Sequence, residues 1–186
     1  NSSSLKLLWA DSNELTSLDI SNNPGLIELR AFSNQFTFIN LTANTALTSL
    51  DVSGNSISTI DVTANTVLTA LQVHNNSLST LDVTGNTVLT ALQVHNNSLS
   101  TLDVSANTAL TYLTVFGNNL SSLDVSANTA LTNLDLQYNH LSTIDVSANT
   151  ALESLDIRNN PLNGVTIEYL DSLVGSISTL LYDHPL

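Results

Sequence analysis

Cysteine and methionine are absent from this 186-residue chain, and Lys6, Arg30 and Arg158 are its only basic residues. Without cysteine no disulfide can hold the ends together, and redox state leaves no trace of the compartment. Three cations against sixteen carboxylates give a formal net charge of −13, so nucleic acid and anionic membrane surfaces are repelled rather than drawn in. No apolar run approaches the roughly 18 residues needed to span a bilayer, which excludes membrane insertion by a helix. The sequence also lacks GxSxG, P-loop, HExxH and GxGxxG signatures, so neither an enzyme nor a bound cofactor is expected. Asn1-Ser2-Ser3-Ser4 stands where a Met would open a nascent chain; this fits a trimmed mature chain or a fragment, with a frayed start. An acidic surface rich in Ser, Thr and Asn suits a secreted protein or one exposed to salt.

What the sequence does contain is a repeat. Starting at Leu5, Leu26, Leu47, Leu68, Leu89, Leu110, Leu131 and Leu152, the pattern LxxLxVxxNxLSxLDVSxNTA returns every 21 residues. A fixed period of this size marks a solenoid, in which each copy buries its apolar edge against its neighbours. Counting the leading leucine as position 1, positions 4 and 6 are apolar between polar neighbours, as in Leu92-Gln93-Val94-His95. That period of two predicts a half-buried strand in each copy, and eight stacked copies predict a parallel sheet. Positions 13 to 16, as in Thr101-Leu102-Asp103-Val104, alternate again and place a second extended segment on the opposite side of the coil. Asn107 and its equivalents then stand where they would cap a single helical turn leading to the next strand. The copies starting at Leu68 and Leu89 differ only at Thr84/Ser105, Gly85/Ala106 and Val88/Ala109, the mark of a recent duplication.

After Ile167 the pattern fails. Ile167, Leu170, Val174, Ile177 and Leu181 recur at three- and four-residue spacing, which predicts an amphipathic capping helix over 168–182 that covers the last apolar layer. The whole chain therefore reads as one domain, with repeats over 5–167 and a helical lid.

The string LxxLxVxxNxL resembles the conserved segment of leucine-rich repeat proteins, and the match runs from residue 5 to about 167 with all eight copies in register. The short unit with LDVSxNTALTxL is most similar to extracellular bacterial members, broadly like the internalin-type adhesins in architecture. The resemblance implies a curved solenoid with a parallel sheet on its concave face and short extended segments and turns on the convex side. It further implies a secreted or cell-surface location and a concave face that binds protein or glycan.

Position 9 is asparagine in every copy: Asn13, Asn34, Asn55, Asn76, Asn97, Asn118, Asn139 and Asn160. An amide supplies donors and an acceptor together, so this column is expected to satisfy backbone groups freed where each strand ends. Position 19 carries a second asparagine column in seven copies.

Positions 3, 5, 7 and 8 point away from the core and change from copy to copy. They collect Trp9, Arg30, Phe32, Gln72, His74, Gln93, His95, Tyr112, Phe116, Asp135, Gln137, Tyr138 and Arg158. Aromatic rings beside amides and carboxylates suit stacking on a sugar or anchoring a protein partner, whereas the plainer reading is a solvated sheet face. The recognition reading is preferred, with the protein expected to act as a monomer. His74 and His95 share one slot in successive copies and should stack about 5 Å apart, but their amide neighbours are poor metal ligands, so no metal site is expected. Asp19, Asp61, Asp82, Asp103, Asp124 and Asp145 form a column at position 15. Each is expected to accept from the backbone two residues on, as in an Asx-turn, in preference to holding calcium. Regular Thr59, Thr80 and Thr101 leave crystal-surface or ice binding as a further alternative, disfavoured by the interleaved aspartates.

Overall fold

The structure, a computed structural model, describes residues 4–184; the expected fraying of residues 1–3 lies outside it. Each copy contributes one three-residue strand: β1 (Leu7–Trp9), β2 (Glu28–Arg30), β3 (Ser49–Asp51), β4 (Ala70–Gln72), β5 (Ala91–Gln93), β6 (Tyr112–Thr114), β7 (Asn133–Asp135) and β8 (Ser154–Asp156). Among the described residues one helix, α1 (Gly164–Leu173), and a last strand, β9 (Thr179–Leu181), follow. The nine strands form one parallel sheet in sequence order. Leu71 stands opposite Leu92, and Leu92 opposite Leu113, so the sheet register equals the 21-residue sequence period.

That equality decides what is buried. Positions 1, 4, 6, 11, 14 and 16 stack on themselves from copy to copy, and in the fifth copy Leu89, Leu92, Val94, Leu99, Leu102 and Val104 all lie in the core. A leucine fully removed from water stabilises by about 2 kcal/mol, but only a neighbouring copy supplies the second wall. At the first copy Leu5, Leu8, Leu15 and Leu18 are only partly buried.

Two asparagine columns hold the layers together. In the sixth copy, Nδ2 of Asn118 donates to the carbonyls of Val115 at 2.9 Å and Phe116 at 3.5 Å in its own copy, and of Val94 in the preceding one at 3.1 Å. Its Oδ1 accepts from the Leu99 amide at 3.0 Å. The side chain thus satisfies backbone groups just past the strand, where the ladder no longer reaches. Asn128, in the position-19 column, donates to the carbonyls of Val104 and Asn107 of the preceding copy, both at 2.9 Å. Its Oδ1 is buried with no donor, as in Asn44, Asn65, Asn86, Asn107 and Asn149. A third column, of threonine at position 2, runs along the strand entrance: Thr69, Thr90, Thr111 and Thr132 each donate to the position-2 carbonyl one copy back.

The opposite side of the coil is built from the alternation expected of it, with Leu102 and Val104 inward and Thr101 and Asp103 outward, although no sheet ladder forms there. The expected helical turn after it is replaced by two consecutive turns, Val104–Asn107 and Asn107–Leu110, closed by bonds of 3.0 and 3.1 Å. Asn107 does not cap, because its amide is already committed to the copy beneath.

At the C-terminus the helix differs from the span 168–182 expected for it. It starts at Gly164 because Asn163, where five earlier copies have Ser, accepts from the Thr166 amide at 2.9 Å and so caps the first turn. It stops at Leu173 because Gly175 adopts φ +90°, a left-handed conformation that a helix cannot continue through. Ile177 and Leu181 therefore sit beyond the helix, and Thr179–Leu181 adds β9 to the sheet edge. Leu155 pairs with Leu180, a step of 25 residues instead of 21 that accommodates α1. The lid is real: Ile167 and Leu170 are buried, and the Tyr169 hydroxyl accepts from the Val146 amide at 3.2 Å.

The two asparagine columns should differ in energetic weight. Asn118→Ala removes four bonds and leaves the Leu99 amide unpaired, and should cost about 3 kcal/mol; Asn128→Ala removes two bonds but also an unsatisfied oxygen, and should cost about 1 to 2 kcal/mol. Urea unfolding of the two variants checks the order.

Candidate ligand face

Because each strand is only three residues long, positions 3 and 5 lie on the open face of the sheet while positions 7 and 8 lie on the turn that follows. Position 8 is left-handed in every copy: Ser12, Ser33, Gly54, Asn75, Asn96, Gly117, Tyr138 and Asn159 have φ between 50° and 64°. Backbone geometry, more than a ligand, accounts for Gly, Asn and Ser here, since these residues tolerate that region best. Asn96 donates to Asn75 Oδ1 at 2.8 Å, and a Cβ on Gly117 would lie 2.4 Å from Asn96 Oδ1. Tyr138 breaks the column's rule. It is an aromatic residue at φ 50°, 59% exposed, and among the described residues no hydrogen bond from its hydroxyl offsets the conformation.

The residues expected on this face fall into three groups. At the N-terminal end Trp9 donates from Nε1 to Glu28 Oε1 at 3.1 Å, Arg30 Nε pairs with the same carboxylate at 2.7 Å, and the guanidinium lies 4.9 Å from the indole centroid. Glu28 was not among the expected residues; its position-3 slot signalled only that it faces outward. Phe32 stands half-buried on the turn that follows Arg30.

In the middle the rings of His74, His95 and Phe116 form one stack, with centroids 4.2 and 4.3 Å apart and planes 15° and 17° from parallel. The in-register spacing of position 7 is what brings them together. His95 Nδ1 lies 3.1 Å from Thr114 Oγ1, while His74 Nδ1 is buried without a partner. Burial lowers the pKa of His74, opposed by the Asp51 carboxylate. It lowers that of His95 to about 4, helped by His74, so at neutral pH the stack consists of neutral rings. Gln72 and Gln93 lie beside it, half-buried and in register.

Near the C-terminal end Asp135, Gln137 and Arg158 join with Asp156 into one network. Arg158 reaches Asp156 through Nε at 3.0 Å and its terminal nitrogen at 2.7 Å, and the same nitrogen lies 3.4 Å from Gln137 Oε1. Gln137 in turn donates to Asp135 Oδ1 from its amide nitrogens, backbone at 3.2 Å and side chain at 3.1 Å. Burial raises the Asp135 pKa, opposed by these bonds. A hollow of about 190 Å³ opens here, lined by Tyr112, Thr114, Asn133, Asp135, Ser154, Asp156 and Leu181. Leu181 was invisible from the sequence as a wall of the face because its spacing read as helical.

On the opposite side the aspartate column forms the Asx-turns expected of it. Asp82 Oδ1 accepts from Thr84 Oγ1 at 2.6 Å and from its amide at 2.9 Å. These bonds hold the pKa values of Asp19, Asp61, Asp82, Asp103, Asp124 and Asp145 below the usual carboxylate range. Among the described residues no three His, Asp or Glu side chains gather closely enough to hold a metal ion, and no helix is long and apolar enough to cross a membrane. Hollows of 260 and 370 Å³ recur between neighbouring segments on this side, each lined by the same Leu, Asp and Thr or Ser positions. They are gaps of the repeat itself.

Comparison with known proteins agrees with this architecture. Models of the Leucine Rich Repeat family match residues 151–173 and, in a second version, 43–64 and 74–91. No curated protein matches the sequence. Among solved structures, the functional domain of InlJ from Listeria monocytogenes, which includes a cysteine ladder, is 28% identical with a TM-score of 0.73, over 96% of this chain and 43% of that one. The protein LIC12759 of Leptospira interrogans is 21% identical (TM-score 0.75, 97% of this chain, 55% of that one). Internalin C2 of Listeria monocytogenes is 19% identical (TM-score 0.79, 95% and 79%). The chain thus spans about half the length of the first two.

The neutral histidine stack carries a pH signature. His95 in the folded protein titrates near 4, below the 6.5 of a free imidazole, so the unfolded chain binds more protons between these values. The contribution of neutral His95 is therefore complete above pH 6.5 and is lost as pH falls toward 4. His95→Phe keeps a ring in the stack without this liability. Its stability relative to the unsubstituted protein should rise as pH drops from 7 to 4, measured by urea unfolding at each pH.

Proposed function

Since the chain is a leucine-rich repeat protein of internalin-like architecture, we propose that it is a non-catalytic recognition module that binds a protein partner along the open face of its sheet, outside the cell. Solenoids of this kind are generally interaction modules, and a shallow open sheet gives no water-excluded site for chemistry. The observation that carries the reading is Tyr138. Seven copies fill the left-handed slot with Ser, Gly or Asn, whereas the seventh in order holds a solvent-facing tyrosine there. A side chain of this size in that conformation costs about 1 kcal/mol or more, and among the described residues its hydroxyl makes no hydrogen bond that would offset it. Strain kept at an exposed aromatic, on the face that also bears Tyr112 and Phe116, is what a binding hot spot would account for. A glycan is the second reading, favoured by Tyr112 and Asp135 lining one hollow.

Tyr138→Asn separates stability from binding. The variant should be more stable by about 0.5 to 1 kcal/mol and bind a captured partner more weakly by about 2 kcal/mol, read by urea unfolding and by calorimetry. Tyr112→Ala with Phe116→Ala should also weaken binding, and Thr80→Ala with Thr101→Ala on the opposite side should leave it unchanged. Binding that survives on the first set and fails on the last would move the recognition surface to the other side of the coil.

A further inference from the structure

We propose that the hollow at β6–β9 receives a lysine side chain of the protein partner, an inference that rests on the recognition role of this face. Its polar lining is Thr114, Asn133, Ser154, Asp135 and Asp156, and its apolar lining includes Tyr112 and Leu181, the latter 38% exposed. The state of the two carboxylates selects the occupant. Asp156 is satisfied, because both of its oxygens accept from Arg158. Asp135 is not: Oδ1 takes both bonds from Gln137, while Oδ2 has no donor among the described residues. Arg158 is bonded to Asp156 and acts on the half-buried Asp135 only through space, so Asp135 makes no direct ion pair among the described residues. Burial raises its pKa, with Asp156 adding to the effect and the Gln137 bonds and Arg158 opposing it.

A single free oxygen discriminates between ligands. A guanidinium is recognised best by two parallel bonds to one carboxylate, and neither aspartate has both oxygens available. A sugar engages a carboxylate through neighbouring hydroxyls and brings no positive charge to Asp135. A primary ammonium needs one strong acceptor, completes its shell with neutral oxygens such as Ser154 Oγ, and carries a flexible alkyl stem. That stem matches the Leu181 side chain, and the ammonium gains further from the Tyr112 ring. Charge complementarity acts at longer range as well, since a net charge of −13 with three basic residues draws in a basic partner.

The probe is the peptide acetyl-Gly-Gly-Lys-Gly-Gly-amide, titrated into the full chain and followed by backbone amide chemical shifts. Saturable shifts at Asn133, Ser154 and Leu181 are expected, with a Kd of about 1 mM for one side chain. Acetylating the lysine, or introducing Asp135→Asn, should weaken binding by about tenfold or more, and the arginine peptide should bind less tightly than the lysine one. Asp135→Asn keeps the side-chain volume, and an unchanged spectrum away from the hollow verifies its fold. Absence of saturation, equal binding of the acetylated peptide, or saturation by methyl glucoside alone would overturn the proposal. Failure here combined with Tyr138-dependent capture of a partner would remove the lysine assignment and leave the recognition face standing.

Discussion

The bond on which the structure depends is the one from the position-11 amide of one copy to the position-9 asparagine of the next. A parallel strand of three residues closes few ladder bonds, and the chain must then leave the sheet without stranding its backbone groups in the core. The asparagine amide answers this with one acceptor and two donors placed two layers deep, as Asn118 does for Leu99, Val94, Val115 and Phe116. It therefore fixes the exit angle of the strand and the distance between copies at once. Leucines supply the burial, but without the amides they would not specify which layer lies on which.

Separating scaffold from surface is a consequence of this arrangement. Positions 1, 4, 6, 11, 14 and 16 are filled by apolar side chains and positions 9 and 19 by amides, so positions 3, 5 and 7 can change without disturbing a layer. Because the register is 21 residues throughout the first eight strands, any substitution in one of these slots lies beside the same slot of its neighbours. A duplication that copies one histidine thus places two rings face to face, and a phenylalanine in the next copy extends the stack to three. Position 8 is the exception among the outward slots, since its left-handed backbone limits what it accepts, and Tyr138 is held there against that limit.

Most of the fold was legible in the sequence because every strand, turn and ladder is set by a residue type recurring at a fixed position. The Asx-turns at Asp82 and Asp103 and the role of Asn118 followed from the chemistry of their side chains at that spacing. Legibility failed where the period ends. Ile177 and Leu181 satisfied a helical spacing, yet the Asn163 cap and the left-handed Gly175 fix the helix earlier, and the spare residues return as β9. The hollow was hidden for the same reason, since one of its walls comes from that strand. Position 8 was read as an ordinary outward slot because a period of two says nothing of the sign of φ. What the candidate residues do to one another, with Arg158 held on Asp156 and Asp135 left half-satisfied, depends on rotamers that no spacing encodes.

Native-state hydrogen exchange at the Leu99 amide is the most direct test of the interlock. This N–H belongs to no strand and its partner is a side chain one copy away. If asparagine bonds define the layers, Leu99 should exchange as slowly as the strand amides of Leu92 and Leu113, and together with Leu78 and Leu120 of the same column. Exchange at the rate of the exposed turn amides, with the strands still protected, would contradict the account and leave leucine burial alone to set the fold.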